Sequence, residues 1–573
     1  MRLDSRAAIA CREFLHKKYA PNAFPGLQPD PVDPVAKEFS DQGFAHEERA
    51  IKALDDVSNG LIHIDQTLNL DAIQRATAAA LLDPEAFIIS GAYIGEITEQ
   101  DLASALGREF VPTQRASRPD LIIKVGQHKD GRPAWAPVDI KSHKAFKESK
   151  SNTVFVSPVV SILPSTQSGE EARLDPNDLH QLAHYTRHFQ ALDIGNDDLW
   201  VGIIGRDLEQ CAWMRIGDAV LGSGKNQVSI LDDHDTKFNE ALEVIRLSEI
   251  ENKDLSQKAG VISINSSGKM GCTICKYKLT CLGEMMKFDE GNGHVTLLAG
   301  VTPKVNGEKF PDIQSIRELR EETPLNDQMI KAQIRARVWQ TKVPERLDPS
   351  KPFDLPEFDI EIDIDLENSM EALRELEIDE PLGVDRLYLY GYGIHDRTID
   401  KDWRSALIET LSDYSNTETG EYAVMLAMWN KLQEEIAKAE AANKSIGIFH
   451  YSSHEFTWWK NFAKRFKGEP GVPTLLEVES FKANHLVDLY KYTQEISFPT
   501  MGYSIKLLAQ LAGFDWAVDK AGGANSLLQY TVATDPKLSQ GERDAAIAWL
   551  DSYNRDDVRA TFAVRDHLRS LFT

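Results

Sequence analysis

Residues 357–369, EFDIEIDIDLENS, alternate charge and apolarity without a break. Asp359, Glu361, Asp363, Asp365 and Glu367 take the odd positions, and Ile360, Ile362, Ile364 and Leu366 lie between them. Period-two alternation predicts a β-strand with one apolar face, because successive side chains of a strand point to opposite sides. The other face then carries a line of carboxylates about 7 Å apart, at roughly 3.3 Å of rise per residue. Aligned like charges oppose folding. A chain that keeps such a strand either exposes it as an acidic edge, a device against aggregation, or brings cations to it.

The strand belongs to a chain of 573 residues, too long for one core, so two or three domains are expected. A composition of 42% hydrophobic and 27% charged residues is that of an ordinary globular protein. No apolar run approaches membrane-spanning length. The opening MRLDSRAAIACREFLHKKYAP lacks the uninterrupted apolar core of a secretory signal, so a cytoplasmic protein with no membrane partner is expected. The net charge of −25 argues against broad electrostatic attraction to nucleic acid. It does not describe a groove, however, because bound cations reverse the field of an acidic site.

The pattern predicts α/β architecture in three parts. Residues 1–290 mix helices (HEERAIKALDDV, AIQRATAAALL, LHQLAHYTRHFQAL) with strands (RPDLIIKV, WAPVDIKS, DLWVGIIG), and SPVVSILPSTQSGEEARLDPND reads as a loop-like insertion. Residues 291–345 have the rhythm of two short helices with glycines at the turn, faintly like a helix-hairpin-helix module. A proline-rich linker follows. From 355 to 573 the pattern restarts with the acidic strand, a second strand DRLYLYGYGI, helices, a third strand SIGIFHYS and a mostly helical remainder.

Two constellations carry chemistry. In the first, Asp120 opens one strand, while Asp139 and Lys141 sit two apart on the next and project from one face. Two carboxylates suit a hard divalent cation, Mg²⁺ or Mn²⁺, which acidifies water and neutralises charge developing on phosphate. By itself D-x-K also describes a surface salt bridge. Its neighbours add weight: His46 with Glu47 at the start of an upstream helix, and Gln181 with Tyr185 spaced i, i+4 downstream. The ordered series resembles the RecB-type branch of the PD-(D/E)xK nucleases, which have a restriction-endonuclease-like fold. The resemblance implies that His46, Asp120 and Asp139 bind metal, with Glu47 a rival at the first position. It also implies that Lys141 serves catalysis and that Gln181 and Tyr185 arrange the site and the DNA.

The cysteines are an independent constraint. Five cysteines do not make a disulfide scaffold. Cys272, Cys275 and Cys281 form C-x2-C-x5-C, with Cys11 far upstream. Four thiolates hold either a 4Fe-4S cluster or Zn²⁺. One cysteine before the core and three after it resembles the iron–sulfur RecB-like nucleases, which implies a structural cluster. Cys211 reads as a buried strand residue.

The second constellation returns to the opening strand. Asp365-x-Glu367 near its end, Glu455 after the strand SIGIFHYS, and Tyr553 with Asp557 at i, i+4 in the last helix resemble the RNase H-like DEDD exonucleases in their tyrosine version. Glutamate at 455 departs from that family's usual aspartate. The resemblance implies two Mg²⁺ or Mn²⁺ ions held by Asp365, Glu367, Glu455 and Asp557, while Asp359, Glu361 and Asp363 face solvent or basic partners. The register stays open: Asp359-x-Glu361 is an alternative match, and Asp363 lies on the same face as the site.

Together these point to a metal-dependent DNA nuclease of repair, recombination or defence, like predicted RecB-like nucleases that also occur joined to superfamily-one helicases. The competing class is a catalytically degenerate nucleic-acid-binding scaffold for a helicase or repair complex.

Overall fold

The computed structural model describes residues 2–19, 26–32, 34–55, 60–164, 169–222, 227–251, 275–301, 313, 315–324, 326–369 and 385–572. The chain divides into two compact units, Met1–Pro29 with Ala36–Ile262, and Asp30–Val35 with Ser263–Thr573.

The first unit is built on an eight-stranded mixed sheet of order β1-β2-β3-β4-β7-β8-β5-β6. Its strands are β1 (Leu61–His63), β2 (Ile88–Ser90), β3 (Leu121–Gln127), β4 (Pro133–Ile140), β5 (Lys147–Pro158), β6 (Glu170–Arg173), β7 (Trp200–Ile204) and β8 (Gln210–Arg215). Its helices are α1 (Arg12–Tyr19), α2 (Pro34–Asp55), α3 (Leu70–Leu82), α4 (Glu96–Ala105), α5 (Pro176–Leu192) and α6 (Ile230–Glu251). The hairpin of β3 and β4 is antiparallel, as GQHKDGRP predicts, and β4 pairs in parallel with β7. Every residue of β4 is buried. Ala136, Val138 and Ile140 pack with Ala50 and Leu54 of α2. Trp135 packs with α3 and with Phe189 of α5, so the strand is covered on both sides. Asp175 caps α5, its side chain accepting from the Asn177 amide, and Pro176 takes the first helical position. The predicted loop-like insertion contains β6, which pairs with β5. EEAR exposes three of its four residues, so no alternation marks it.

The second unit holds α7 (Lys278–Lys287), α8 (Ile316–Glu321), α9 (Asp327–Thr341) and a five-stranded sheet. The segment 291–345 falls in this unit, and the predicted glycine turn of its helical pair lies in 302–312, outside the described residues. The sheet strands are β9 (Ile360–Asn368), β10 (Leu387–Asp396), β11 (Leu407–Ser412), β12 (Ile446–His450) and β13 (Leu486–Asp488), in the order β11-β10-β9-β12-β13. The acidic strand β9 is therefore central, antiparallel to β10 and parallel to β12. The acidic-edge reading is corrected.

Both faces of β9 are covered. Ile362, Ile364 and Leu366 join a core with Met425, Met428 and Leu432 of α10 (Glu418–Ala441), Trp459 and Phe462 of α11 (His454–Arg465), and Val478 and Phe481 of α12 (Leu475–His485). The acidic face meets the C-terminal helix α15 (Gln540–Ser570), which follows α13 (Ile505–Leu511) and α14 (Gly523–Thr534). A reciprocal capping box between Ser539 and Glu542 starts α15. Register makes its close approach possible. Gly393 stands opposite Asp363 and Gly391 opposite Asp365. A Cβ at Gly391 would collide with Asn554, and one at Gly393 with Phe562, both on α15.

Candidate active sites

In the second unit β9 delivers Asp365 and Glu367 to one face, and α15 delivers Asp557 across from them. One carboxylate oxygen from each of the three lies within 4.8 Å of the others. Each carboxylate is also held by a donor. Asn554 Nδ2 donates to Asp365 Oδ2 at 2.7 Å, Ser526 Oγ to Glu367 Oε2 at 2.8 Å, and Trp516 Nε1 to Asp557 Oδ1 at 2.6 Å. Burial, then mutual repulsion, raises the group as a whole. Glu367 is pushed to about 8 with Asp557 as its charged neighbour. Asp557 is pushed to about 6 despite the pull of Lys506. Asp365 rises well above the carboxylate range through burial and the charges of Asp557, Glu367 and Glu455. Three all-oxygen donors at this spacing, oriented by fixed hydrogen bonds and repelling one another, fit a hard divalent cation of the Mg²⁺ or Mn²⁺ kind.

The remaining carboxylates of the strand have different partners. Glu361 and Asp363 are fully buried. Arg565 pairs with both, at 3.1 Å from Glu361 and in a very short contact with Asp363. Glu361 also meets Arg569 at 2.6 Å and Arg397 at 3.4 Å. Of the two expected environments, solvent and basic partners, these two residues take the basic one. Asp359 accepts from the Ser445 amide at 2.8 Å and its hydroxyl at 2.9 Å.

Glu455 is buried at the start of α11, its Oε2 3.1 Å from His450 Nδ1. It is not in the group of three ligand oxygens and reaches Asp365 through its charge. Tyr553 is buried against Trp549, ring centroids 5.1 Å apart, and its hydroxyl receives Lys506 Nζ at 3.1 Å. Asn554, Ser526, Trp516 and Lys506 were not expected from the sequence. Asn554 adjoins Tyr553, but none of the four stands in a spacing that marks it.

In the first unit the geometry joins Asp120, Asp139, Lys141, Gln181 and Tyr185. Asp139 is fully buried, with Lys141 Nζ 3.1 Å away. Lys141 donates to Gln181 Oε1 at 2.9 Å, Gln181 Nε2 to the Tyr185 hydroxyl at 2.8 Å, and that hydroxyl to the Arg118 carbonyl at 3.0 Å. Asp120 Oδ2 accepts from the Ile140 amide at 2.7 Å. Burial, then Asp139 and Glu47, pushes the Asp120 carboxyl well up. Burial likewise raises Asp139 and Glu47. An unforeseen fourth acid, Asp178, lies 3.6 Å from Lys141 and 3.3 Å from His143. Its signal in the sequence is its place three residues before Gln181 on the same helical face. A set of three ligand oxygens as tight as that of the second unit does not recur here among the described residues. His46 and Glu47 lie in the middle of α2, which begins at Pro34, and not at a helix start as expected. His46 is buried, and burial, then Arg49, holds its imidazole below the usual range. Glu47 is the α2 side chain that feels Asp139 and Lys141.

Of the cysteines, Cys11 belongs to the first unit and Cys275 and Cys281 to the second, while Cys272 lies outside the described residues. Among the described residues no three thiolates gather into a ligand group. Cys211 is buried in β8, as expected.

A family model described as RNase H superfamily matches residues 403–569. The C-terminal part of the chain is RNase H-like. The match spans Glu455, Tyr553 and Asp557 but begins after β9, so geometry alone adds Asp365 and Glu367 to that set. No curated protein and no solved structure matches the chain. No helix among the described residues is long and apolar enough to cross a membrane.

Proposed function

We propose that this protein is a metal-dependent nuclease that hydrolyses phosphodiester bonds of DNA at the Asp365–Glu367–Asp557 group. The observation that carries this reading is the gathering of three raised, oriented carboxylates within 4.8 Å, one of which, Asp557, lies inside the RNase H superfamily match. When bound, Mg²⁺ or Mn²⁺ supplies a Lewis acid that lowers the pKa of water and offsets charge on the phosphate. The chain's own residues do the positioning. Asn554, Ser526 and Trp516 fix the carboxylates, and the Tyr553 hydroxyl stands beside Asp557. Glu455, held by His450, enters as an outer acid that acts on Asp365.

The first unit is proposed as a RecB-like PD-(D/E)xK nuclease centre, supported by the Asp120, Asp139, Lys141, Gln181 and Tyr185 cluster. Thiolate binding of an iron–sulfur cluster or zinc by Cys11, Cys272, Cys275 and Cys281 rests on their spacing and the resemblance alone. Visible absorbance of anaerobically purified protein tests the cluster, and stoichiometric zinc in a colourless protein would refute it. A role in repair beside a helicase rests on the resemblance alone.

The deciding experiment measures Mn²⁺-dependent cleavage of single- and double-stranded DNA and of RNA by the parent, Asp139→Ala, Asp365→Asn and the double variant. The reading expects loss of at least about a hundredfold in the double variant. Undiminished cleavage by the double variant, or no cleavage by the parent on any substrate, refutes it.

A further inference from the structure

We propose that Lys506 is the residue of the second-unit site that grips a substrate phosphate. The proposal deepens the nuclease reading and rests on it. Lys506 leads from α13 into the carboxylate site, half-buried. Its ammonium donates to the Tyr553 hydroxyl at 3.1 Å, and lies 4.6 Å from that ring's centroid and 5.3 Å from the Trp516 ring. It feels the charges of Asp557, Glu367 and Asp365. Yet among the described residues no carboxylate lies within 4.0 Å of it, whereas Glu361 and Asp363 on the same strand are directly paired with arginine.

This placement asks for an anion that the protein does not supply. A lysine ammonium has three donors, and one is used on Tyr553. The carboxylate nearest in chemistry, Asp557, already accepts from Trp516. Two aromatic faces hold the ammonium through cation–π attraction, which positions a cation without neutralising it. A divalent cation cancels most of the charge of the three carboxylates, so their hold on the ammonium weakens and its remaining donors are left for an anion. The anion that then enters this site is the backbone phosphate of a nucleic acid, and lysine is a common phosphate donor. Purely structural charge compensation would instead place the ammonium in contact with a carboxylate.

The test uses the full chain carrying Asp139→Ala, so that only the second site is read. Parent, Lys506→Met and Lys506→Arg are compared for Mn²⁺ binding by calorimetry and for cleavage of a single-stranded oligonucleotide over a range of salt. The proposal expects Lys506→Met to keep Mn²⁺ affinity within about threefold while kcat/KM falls on the order of a hundredfold. The slope of log kcat/KM against log salt should flatten by about 0.7, the loss of one phosphate contact to a single strand. Lys506→Arg keeps the charge and should restore kcat/KM to within about tenfold. An unchanged salt slope in Lys506→Met, or loss of Mn²⁺ binding with kcat/KM, overturns the phosphate role while leaving the nuclease reading intact. A parent that neither binds Mn²⁺ nor cleaves overturns both.

Discussion

At the scale of single residues, the acidic face of β9 is divided by what α15 places against it. Arg565 and Arg569, one helical turn apart, take Glu361 and Asp363. Asn554 and Asp557 take the end of the strand, where the carboxylates stay uncompensated. Arg565→Met should therefore leave the fully buried Asp363 without its cation, while Glu361 keeps Arg569 and Arg397. Removing one partner of a buried pair costs about 3–5 kcal/mol, and urea unfolding of the variant against the parent checks it. The uncompensated group makes a pH prediction of opposite sign to that of a paired acid. Glu367 and Asp557, raised to about 8 and about 6, bind protons more tightly folded than unfolded. Between the ordinary carboxylate range and those values the unfolded chain holds fewer protons, so stability falls as pH rises. These carboxylates should lower the Tm of metal-free protein between about pH 5 and pH 8, against the opposite pull of the buried histidines, so the difference in slope between parent and Asp557→Asn isolates them. An unchanged slope in Asp557→Asn contradicts the raised carboxylates. Saturating Mn²⁺ competes with those protons. At a hundred times its Kd it adds about 2.7 kcal/mol, with an affinity that increases with pH.

At the scale of elements, what could be read from the sequence follows from periodicity. Strict alternation marked β9, and the i, i+4 pair Tyr553 and Asp557 marked the face of α15 that meets it. Four things were not legible. Arg565 lies 202 residues from Asp363, so no local pattern links the cation to the acid it neutralises. β11 has no buried residue, so no face of it reads as core. β13 has three residues, too few for a period. DRLYLYGYGI reads as a strand, but nothing local gives its two glycines a reason; the register makes them the reason a helix can lie on the sheet. Gly391→Ala should push Asn554 away from Asp365 and loosen the site. A misplacement of this kind costs up to about a hundredfold in rate, with less effect on Mn²⁺ stoichiometry than Asp365→Asn. Steady-state cleavage together with metal titration checks it. In the first unit D-x-K is the plainer signal and Asp178 the weaker one. A two-residue strand spacing is a pattern by itself, whereas Asp178, three residues before Gln181, joins the cluster only when α5 packs against β4.

At the scale of the whole molecule, each unit has its own sheet and its own buried cores, and each carries one of the two carboxylate clusters. Net charge is a poor guide to either. The chain carries −25 overall, yet the acids that matter are buried and either paired with arginine or poised for a metal. The clusters differ in tightness. Lys141 already stands 3.1 Å from Asp139, so the first site has a built-in cation, whereas no ion pair with a described residue relieves the second. Metal should therefore stabilise the second unit more than the first. Calorimetry of the full chain should resolve two unfolding transitions, as expected of units with separate cores. Mn²⁺ should shift one of them strongly. Asp365→Asn should abolish that shift and leave the other transition in place, while Asp139→Ala should leave the strong shift intact. A Mn²⁺ shift that Asp139→Ala removes and Asp365→Asn retains would reverse the assignment of the tighter metal site.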